Sequence, residues 1–309
     1  MTGKPRKHHF IPQFWIKRFA GADGRLWSYD HNNGRVSERS SKQIMQILNL
    51  YTVEPSYSDD VTLETVDLNK IDNDGNLVFD NILGGDLSES TRHDFASFLS
   101  AQILRDPSVV TTYNQRAQEI TLNLLEVFDS PDFGTFCAKW DAQFPGTHVT
   151  ELEFDHIRSK GLKNAENALE LIINGLDASE GLPELPFTDA VRSPDGRKII
   201  RDRLLGFDWT LKVDKENRFI LGDAGVLYNR GTMQNVSVPL SCGAALFLTE
   251  SKHPRPSISF ALTADHEATN LNLESAARSR RWIVGGERDR VEALASQVGS
   301  NPLPEHTDI

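Results

Sequence analysis

Phe207-Asp208-Trp209-Thr210-Leu211-Lys212-Val213 alternates apolar residues with polar or charged ones. A period of two puts one face of a strand in a core and the other in water. The pattern returns in shorter runs at Arg218 to Leu221, Val236 to Leu240 and Ser257 to Leu262, while Ala244 to Thr249 is more continuously apolar. The links between these runs are short, whereas parallel neighbours need crossover connections, so residues 205–285 read as one mostly antiparallel sheet. A helix over His266 to Arg280 leads to a last strand, Trp282-Ile283-Val284, and a small helix at Val291 to Val298.

Upstream the period becomes helical. A helix starting near Ser88 places Phe95, Phe98, Leu99 and Ile103 on one face and ends before Pro107. Val109, Tyr113, Ile120, Leu124 and Val127 mark a second helix, and Ile157, Ala165, Leu169, Ile172 and Ile173 a third. Residues 54–86 are acidic and broken by Asn-Asp-Gly and Gly-Gly, which reads as loop. Nearer the start, Arg25 to Asp30 and Arg35 to Ser37 flank the turn Asn32-Asn33-Gly34, and Ser40-Ser41 caps a short helix carrying Ile44, Ile47 and Leu48. The expected class is α+β: an N-terminal β-hairpin segment, a helical middle over residues 87–178, and a mostly antiparallel C-terminal sheet. The prolines and the Ser-Pro-Asp-Gly turn within residues 180–197 set a boundary between an N-terminal region, 1–180, and a β-rich region, 198–299, the two forming one compact unit, with a loose tail at 300–309.

Apolar residues at 39% and charged ones at 25% are ordinary for a globular chain and exclude wholesale disorder. No apolar run reaches the ~18 residues of a membrane span, so no membrane partner is expected. The basic start, Met1 to Lys7, has no apolar stretch behind it and does not read as a secretory signal. Cys137 and Cys242 are far apart in apolar settings; two buried thiols suit a reducing cytoplasm. A net charge of −11 repels nucleic acid, so such a partner needs a local patch. Lys4, Arg6, Lys7, Lys17 and Arg18 precede the first acidic residue, Asp23, and offer one; a solvated, flexible end is the plainer reading. The acidic balance suits a protein partner equally well.

Four segments carry a resemblance. They are His8-His9-Phe10-Ile11-Pro12-Gln13-Phe14 with Phe19-Ala20; Gln102-x-x-Arg105-x-Pro107; Phe219-Ile220-Leu221-Gly222-Asp223 with Val238-Pro239-Leu240-Ser241; and Asn270 or Asn272 with Arg281. Together they resemble the bacterial domain-of-unknown-function family 4238. The family usually has a proline two residues after the aspartate, where this chain has Gly225. The resemblance implies a bacterial or phage origin and a role in defence, and it brings no established activity. Locally, His9-Phe10-Ile11-Pro12-Gln13 also resembles the first strand of HNH nucleases, where the histidine activates water and the residue before it can ligate the metal.

These residues define the candidate site. His9 is the candidate general base, because imidazole titrates near neutrality, and a divalent cation (Mg or Mn) would stabilise the charge that develops on phosphorus. His8 and Asp223 are the candidate metal ligands, with Asp223 and Arg105 completing the catalytic set. Gln102 and Arg105, three apart on one helix face, and Lys7 are candidates for holding phosphate or another ligand. The structural alternatives are a hydrogen-bonded N-terminal strand for the histidines and a buried salt bridge, to Asp223 for instance, for Arg105. Glu250-Ser251-Lys252 with Asp223 matches restriction-type nucleases in residue type, although strand-end solvation explains Glu250 and Lys252 more simply. Arg278-Ser279-Arg280-Arg281 is a basic patch near a helix end, suited to phosphate. There is no Walker A loop, Gly-x-Gly-x-x-Gly, Cys-x-x-Cys or Gly-x-Ser-x-Gly. The leading expectation is a metal-dependent nuclease or phosphodiesterase of bacterial defence; the alternative is a non-enzymatic protein- or ligand-binding module within a larger defence assembly.

Overall fold

The computed structural model describes residues 7–48, 50, 68–111, 126–143, 148–159, 194–229 and 233–301. The chain divides into two compact units, one of residues 1–52, 60–110 and 190–309, the other of residues 53–59 and 111–189. One division falls inside the Pro-rich segment 180–197. Another falls after Val110, within what the sequence suggests is a continuous helical middle.

Among the described residues, the first unit is α+β and holds two four-stranded sheets and a two-stranded pair. Strand β1 (Lys7–His9) pairs antiparallel with β4 (Gln46–Leu48). The hairpin β2 (Trp27–Asp30) and β3 (Arg35–Glu38) closes over the Asn-Asn-Gly turn as the sequence predicts, with Gly34 at φ 62°. Its next neighbour, however, is the last strand of the chain, β10 (Trp282–Gly285), which in turn pairs with β6 (Leu221–Gly222). The C-terminal strands therefore do not form one sheet. The second sheet has the order β7 (Val236–Ser241), β8 (Ala244–Glu250), β5 (Phe207–Val213), β9 (Ser259–Leu262). It is antiparallel except that β9 runs parallel to β5. The reason lies in residues 251–258, which carry the chain from the end of β8, opposite Phe207, past the start of β5 to its other side.

Two helices pack together, and one of them meets the second sheet. Helix α3 (Glu89–Leu104) starts at Ser88, whose hydroxyl accepts from Thr91 N–H, and buries Phe95, Phe98, Leu99 and Ile103 as expected. Phe95 meets Trp209 of β5 edge-on at 6.0 Å. Ahead of it, residues 69–83, read from sequence as loop, form helix α2 (Asn69–Leu83). The Asn-Asp-Gly that suggests a turn is there for packing, because a Cβ on Gly75 would collide with the ring of Phe98. Short helix α1 (Gln13–Lys17) buries Trp15, whose indole N–H donates to Pro239 O at 2.7 Å. Pro12 and Phe19 are buried beside it. Ser40 and Gln43 cap only a single 3-10 turn, Ser41–Gln43; Ile47 and Leu48 belong to β4 instead of a helix. Helix α6 (Pro194–Leu205) precedes β5, and α7 (Asp265–Arg278) and α8 (Arg288–Leu294) flank β10.

In the second unit, α4 (Phe133–Gln143) and α5 (Glu151–Ser159) share an aromatic core, with Phe136 and Phe154 at 4.8 Å. Helix α4 is absent from the sequence expectation, which places its third helix later, around Ile157. Tyr113 to Leu124, Ala165 to Ile173 and 302–309 lie outside the described residues. No helix among the described residues is long and apolar enough to cross a membrane.

Candidate functional site

Two features of the sequence hold strand β6 against α7, and a glycine turn follows it. Asn272 accepts from Ile220 N–H at 3.0 Å and donates to Arg218 O at 2.9 Å, fixing the backbone that enters the strand. Gly222 lies so close to α7 that a Cβ would strike Ser275 and Ser279. Gly225 then takes φ 62° and donates its N–H to Gly222 O at 3.0 Å, closing a turn beneath Ile11. Proline, confined near φ −65°, does not fit that turn.

This geometry puts Asp223 at the end of β6, 7% exposed. Its carboxylate accepts three consecutive main-chain donors. Arg280 N–H donates to Oδ1 at 2.8 Å, and Arg281 and Trp282 N–H donate to Oδ2 at 2.8 and 2.9 Å. Its own N–H donates to Trp282 O at 2.9 Å. Burial pushes the carboxyl up to about 6 against the pull of those donors, and the nearby Asp106 carboxylate adds to the rise.

Asp223 opens onto a cleft of about 190 Å³, shared with Asp106 and with Arg278, Arg280 and Arg281. Phe10 and Trp282, ring centroids 6.2 Å apart, form part of its apolar wall. Arg281 is held in two ways: Nε and Nη2 donate to the Asp30 carboxylate at 2.8 and 3.0 Å, and its guanidinium lies 4.1 Å over the Trp282 ring. Burial alone would raise the Asp30 carboxyl, but the Arg281 pairing outweighs it and holds the group low. The Nη1 of Arg281 makes no hydrogen bond to a described residue. Among the described residues, Arg278 has only a loose contact, 4.0 Å, with Glu274 one turn earlier. Relative to those residues, donors remain available on two guanidinium groups.

The other sequence candidates do not line this cleft. Arg105, 2% exposed, pairs with Asp72 of α2, not with Asp223, and its Nη2 donates to His9 O at 3.0 Å. Gln102 Nε2 donates to Phe10 O at 2.6 Å. The Gln-x-x-Arg element of α3 thus grips the main chain of residues 9–10 and so places Phe10 in the wall. The next residue of that element, Asp106, is the one that reaches the cleft. His9 turns its Nε2 to Ser41 O at 3.2 Å; since a carbonyl only accepts, Nε2 carries the proton. Burial, foremost, lowers its pKa, so the ring is neutral near pH 7. His8 is buried in β1 beside it, and Lys7 is exposed at the strand's start. Arg18 of the basic N-terminus reaches Asp80 at 2.9 Å. Glu250 ends β8 in the other sheet, where Arg203 donates to it at 2.6 Å, and neither it nor Lys252 lines the cleft.

No group of three or more His, Cys, Asp or Glu residues suited to a metal occurs among the described residues. The ββα arrangement of HNH nucleases is not formed there either, because β1 pairs with β4 instead of the hairpin and the following helix is one turn. The arginines were legible in sequence as the 278–281 patch. Asp106 and Asp72 were not, one standing at an unconstrained position of a motif and the other inside an apparent loop.

The profile of one family, described as a protein of unknown function (DUF4238), matches residues 7–289. The chain belongs to that family. No curated protein and no solved structure gives a significant match. The DUF4238 match takes in every residue of the cleft, from Phe10 through Trp282, and every element that builds it.

Proposed function

We propose that this protein is a binding module whose cleft receives the phosphate of a small organic ligand of nucleotide size. One observation carries the reading: Arg278 and Arg281 line the same cleft with guanidinium donors that have no hydrogen-bond partner among the described residues. Arginine is well matched to phosphate because its planar fork offers paired donors. A cleft of about 190 Å³ is smaller than the several hundred Å³ typical of drug-sized ligands, so it suits one phosphate and part of its substituent against Phe10 and Trp282. The acidic balance of the chain disfavours a long polyanion but acts weakly at a site this local, given a Debye length of about 8 Å.

Titration calorimetry with thymidylyl-thymidine, a phosphodiester of constant charge across neutral pH, tests this. Binding is expected, with Arg278→Gln weakening it about tenfold, as loss of a charge-assisted hydrogen bond does. Arg278 is the informative position because its contact with Glu274 contributes little to the fold. Absence of binding by the wild type would remove the reading.

The second reading is a metal-dependent phosphodiesterase or nuclease, favoured by Asp223 and Asp106 sharing the cleft with the arginines. Two carboxylates can hold a divalent cation against a phosphate. Hydrolysis of thymidylyl-thymidine in Mg or Mn, abolished by Asp106→Asn, would establish it over simple binding.

A further inference from the structure

We infer that Asp223 is the positioning residue of this anion site: its carboxylate holds the main chain of residues 280–282 in the one conformation that sets the arginines around the cleft. The inference rests on the phosphate-binding reading above. Helix α7 ends at Arg278, and Ser279 turns the chain to an extended conformation, φ −69° and ψ 142°. The next three N–H groups would otherwise need three separate partners, and one side chain supplies all of them. Asp223 is tied to the same segment through its own N–H, which donates to Trp282 O at 2.9 Å and approaches Ser279 Oγ at 3.2 Å. Ser279 Oγ in turn donates to Ser275 O at 2.7 Å, joining the segment to the last turn of α7.

Oδ2 already accepts two N–H groups, so using that oxygen as a base or as a metal ligand would compete with the Arg281 and Trp282 donors that hold the segment. With residues 280–282 held, Arg281 is brought to Asp30 and Trp282, which leaves its Nη1 for a ligand. Preorganised donors of this kind bind more tightly because ordering them costs nothing at the moment of binding.

The test compares Asp223→Ala, Asp223→Asn and a control, Asp214→Asn, in the full chain. Asp214 is another buried carboxylate with a main-chain role, accepting from Arg218 N–H at 2.7 Å, but it does not line the cleft. Calorimetry with thymidylyl-thymidine is read beside amide exchange, followed by mass spectrometry, in peptides spanning 278–285. In Asp223→Ala, exchange in that stretch should accelerate and affinity should fall at least tenfold, the scale of losing a charge-assisted contact. Asp223→Asn, which keeps one acceptor, should lose less. Asp214→Asn should lower the thermal midpoint yet leave affinity within about twofold. Unchanged affinity in Asp223→Ala would overturn the inference, and so would an equal loss in the Asp214 control. If Asp223→Ala does not fold, Asp223→Asn with wild-type affinity and exchange overturns it. Failure of the wild type to bind removes the phosphate reading and this role together, whereas binding that ignores Asp223 removes this role alone.

Discussion

A carboxylate that follows an apolar strand needs donors, and at Asp223 they come from the main chain, where the sequence suggests a side chain or a metal. That much of the residue was legible: the apolar run Phe219 to Leu221 marks the burial, and burial demands partners. Which partners was not legible, because three backbone N–H groups more than fifty positions downstream leave no trace in side-chain chemistry. The same holds for Arg105, whose partner Asp72 sits in a segment with turn-like composition. The raised carboxyl of Asp223 has a consequence for stability. A group whose folded value, about 6, lies above its usual 3.8 contributes stability that is present below the lower value and is lost as pH rises through the higher one. Asp223→Asn lacks that titration. The stability of wild type minus that of Asp223→Asn should therefore fall between pH 4 and pH 7, by up to ~3 kcal/mol for two pKa units. Urea unfolding of both proteins at several pH values measures it. A difference that instead grows with pH would mean that the three N–H donors outweigh burial.

Elements were legible where one periodic face met one core. Helix α3, the hairpin β2–β3 and strand β5 all appear where the pattern puts them, since each buries a single regular stripe. Helix α2 was hidden by Gly75, which serves close packing against Phe98 and not a turn. The short helix expected after Ser40 gave way to a 3-10 turn and β4, with Met45 at φ 52° between them. At this scale the N-terminal segment is the element on which the cleft depends, because Phe10 reaches the wall only if residues 9–19 are pinned. Phe14 does part of that work: it meets Phe79 edge-on at 5.3 Å and Phe98 at 6.0 Å, although its ring is only half-buried. Full burial of a phenylalanine would put Phe14→Ala at 3 kcal/mol or more; partial burial brings the expected loss to about 2 kcal/mol. Chemical denaturation checks the value, and a change under about 0.5 kcal/mol would show that the segment is held by Trp15 and Phe19 alone.

At the scale of the whole chain, the ends meet: the hairpin near the start is completed by β10 near the end, and β6 joins from the middle. Strand pairing across such separations was not legible, because alternation shows which face is buried and is silent on the neighbour. The pairing matters for function since it gathers Asp30, Asp223 and Trp282 around one set of arginines, while the chain as a whole carries a net charge of −11. Local attraction and global repulsion then make separable predictions. A ligand with one phosphate in the cleft displaces about one counterion, so raising salt from 50 to 200 mM should weaken thymidylyl-thymidine only about threefold. Lengthening the strand adds phosphates that meet an acidic surface, so a twelve-nucleotide thymidylate should bind no more tightly per site than the dinucleotide. An extended nucleic-acid interface behaves differently: six or more phosphate contacts would cost on the order of a thousandfold over the same salt range, and affinity would climb with length. Calorimetric titrations at two salt concentrations with the two strands decide between them. Steep dependence on length and salt would return the protein to the nuclease reading, with a basic surface recruited from beyond the cleft; shallow dependence on both is the outcome that this distribution of charge requires.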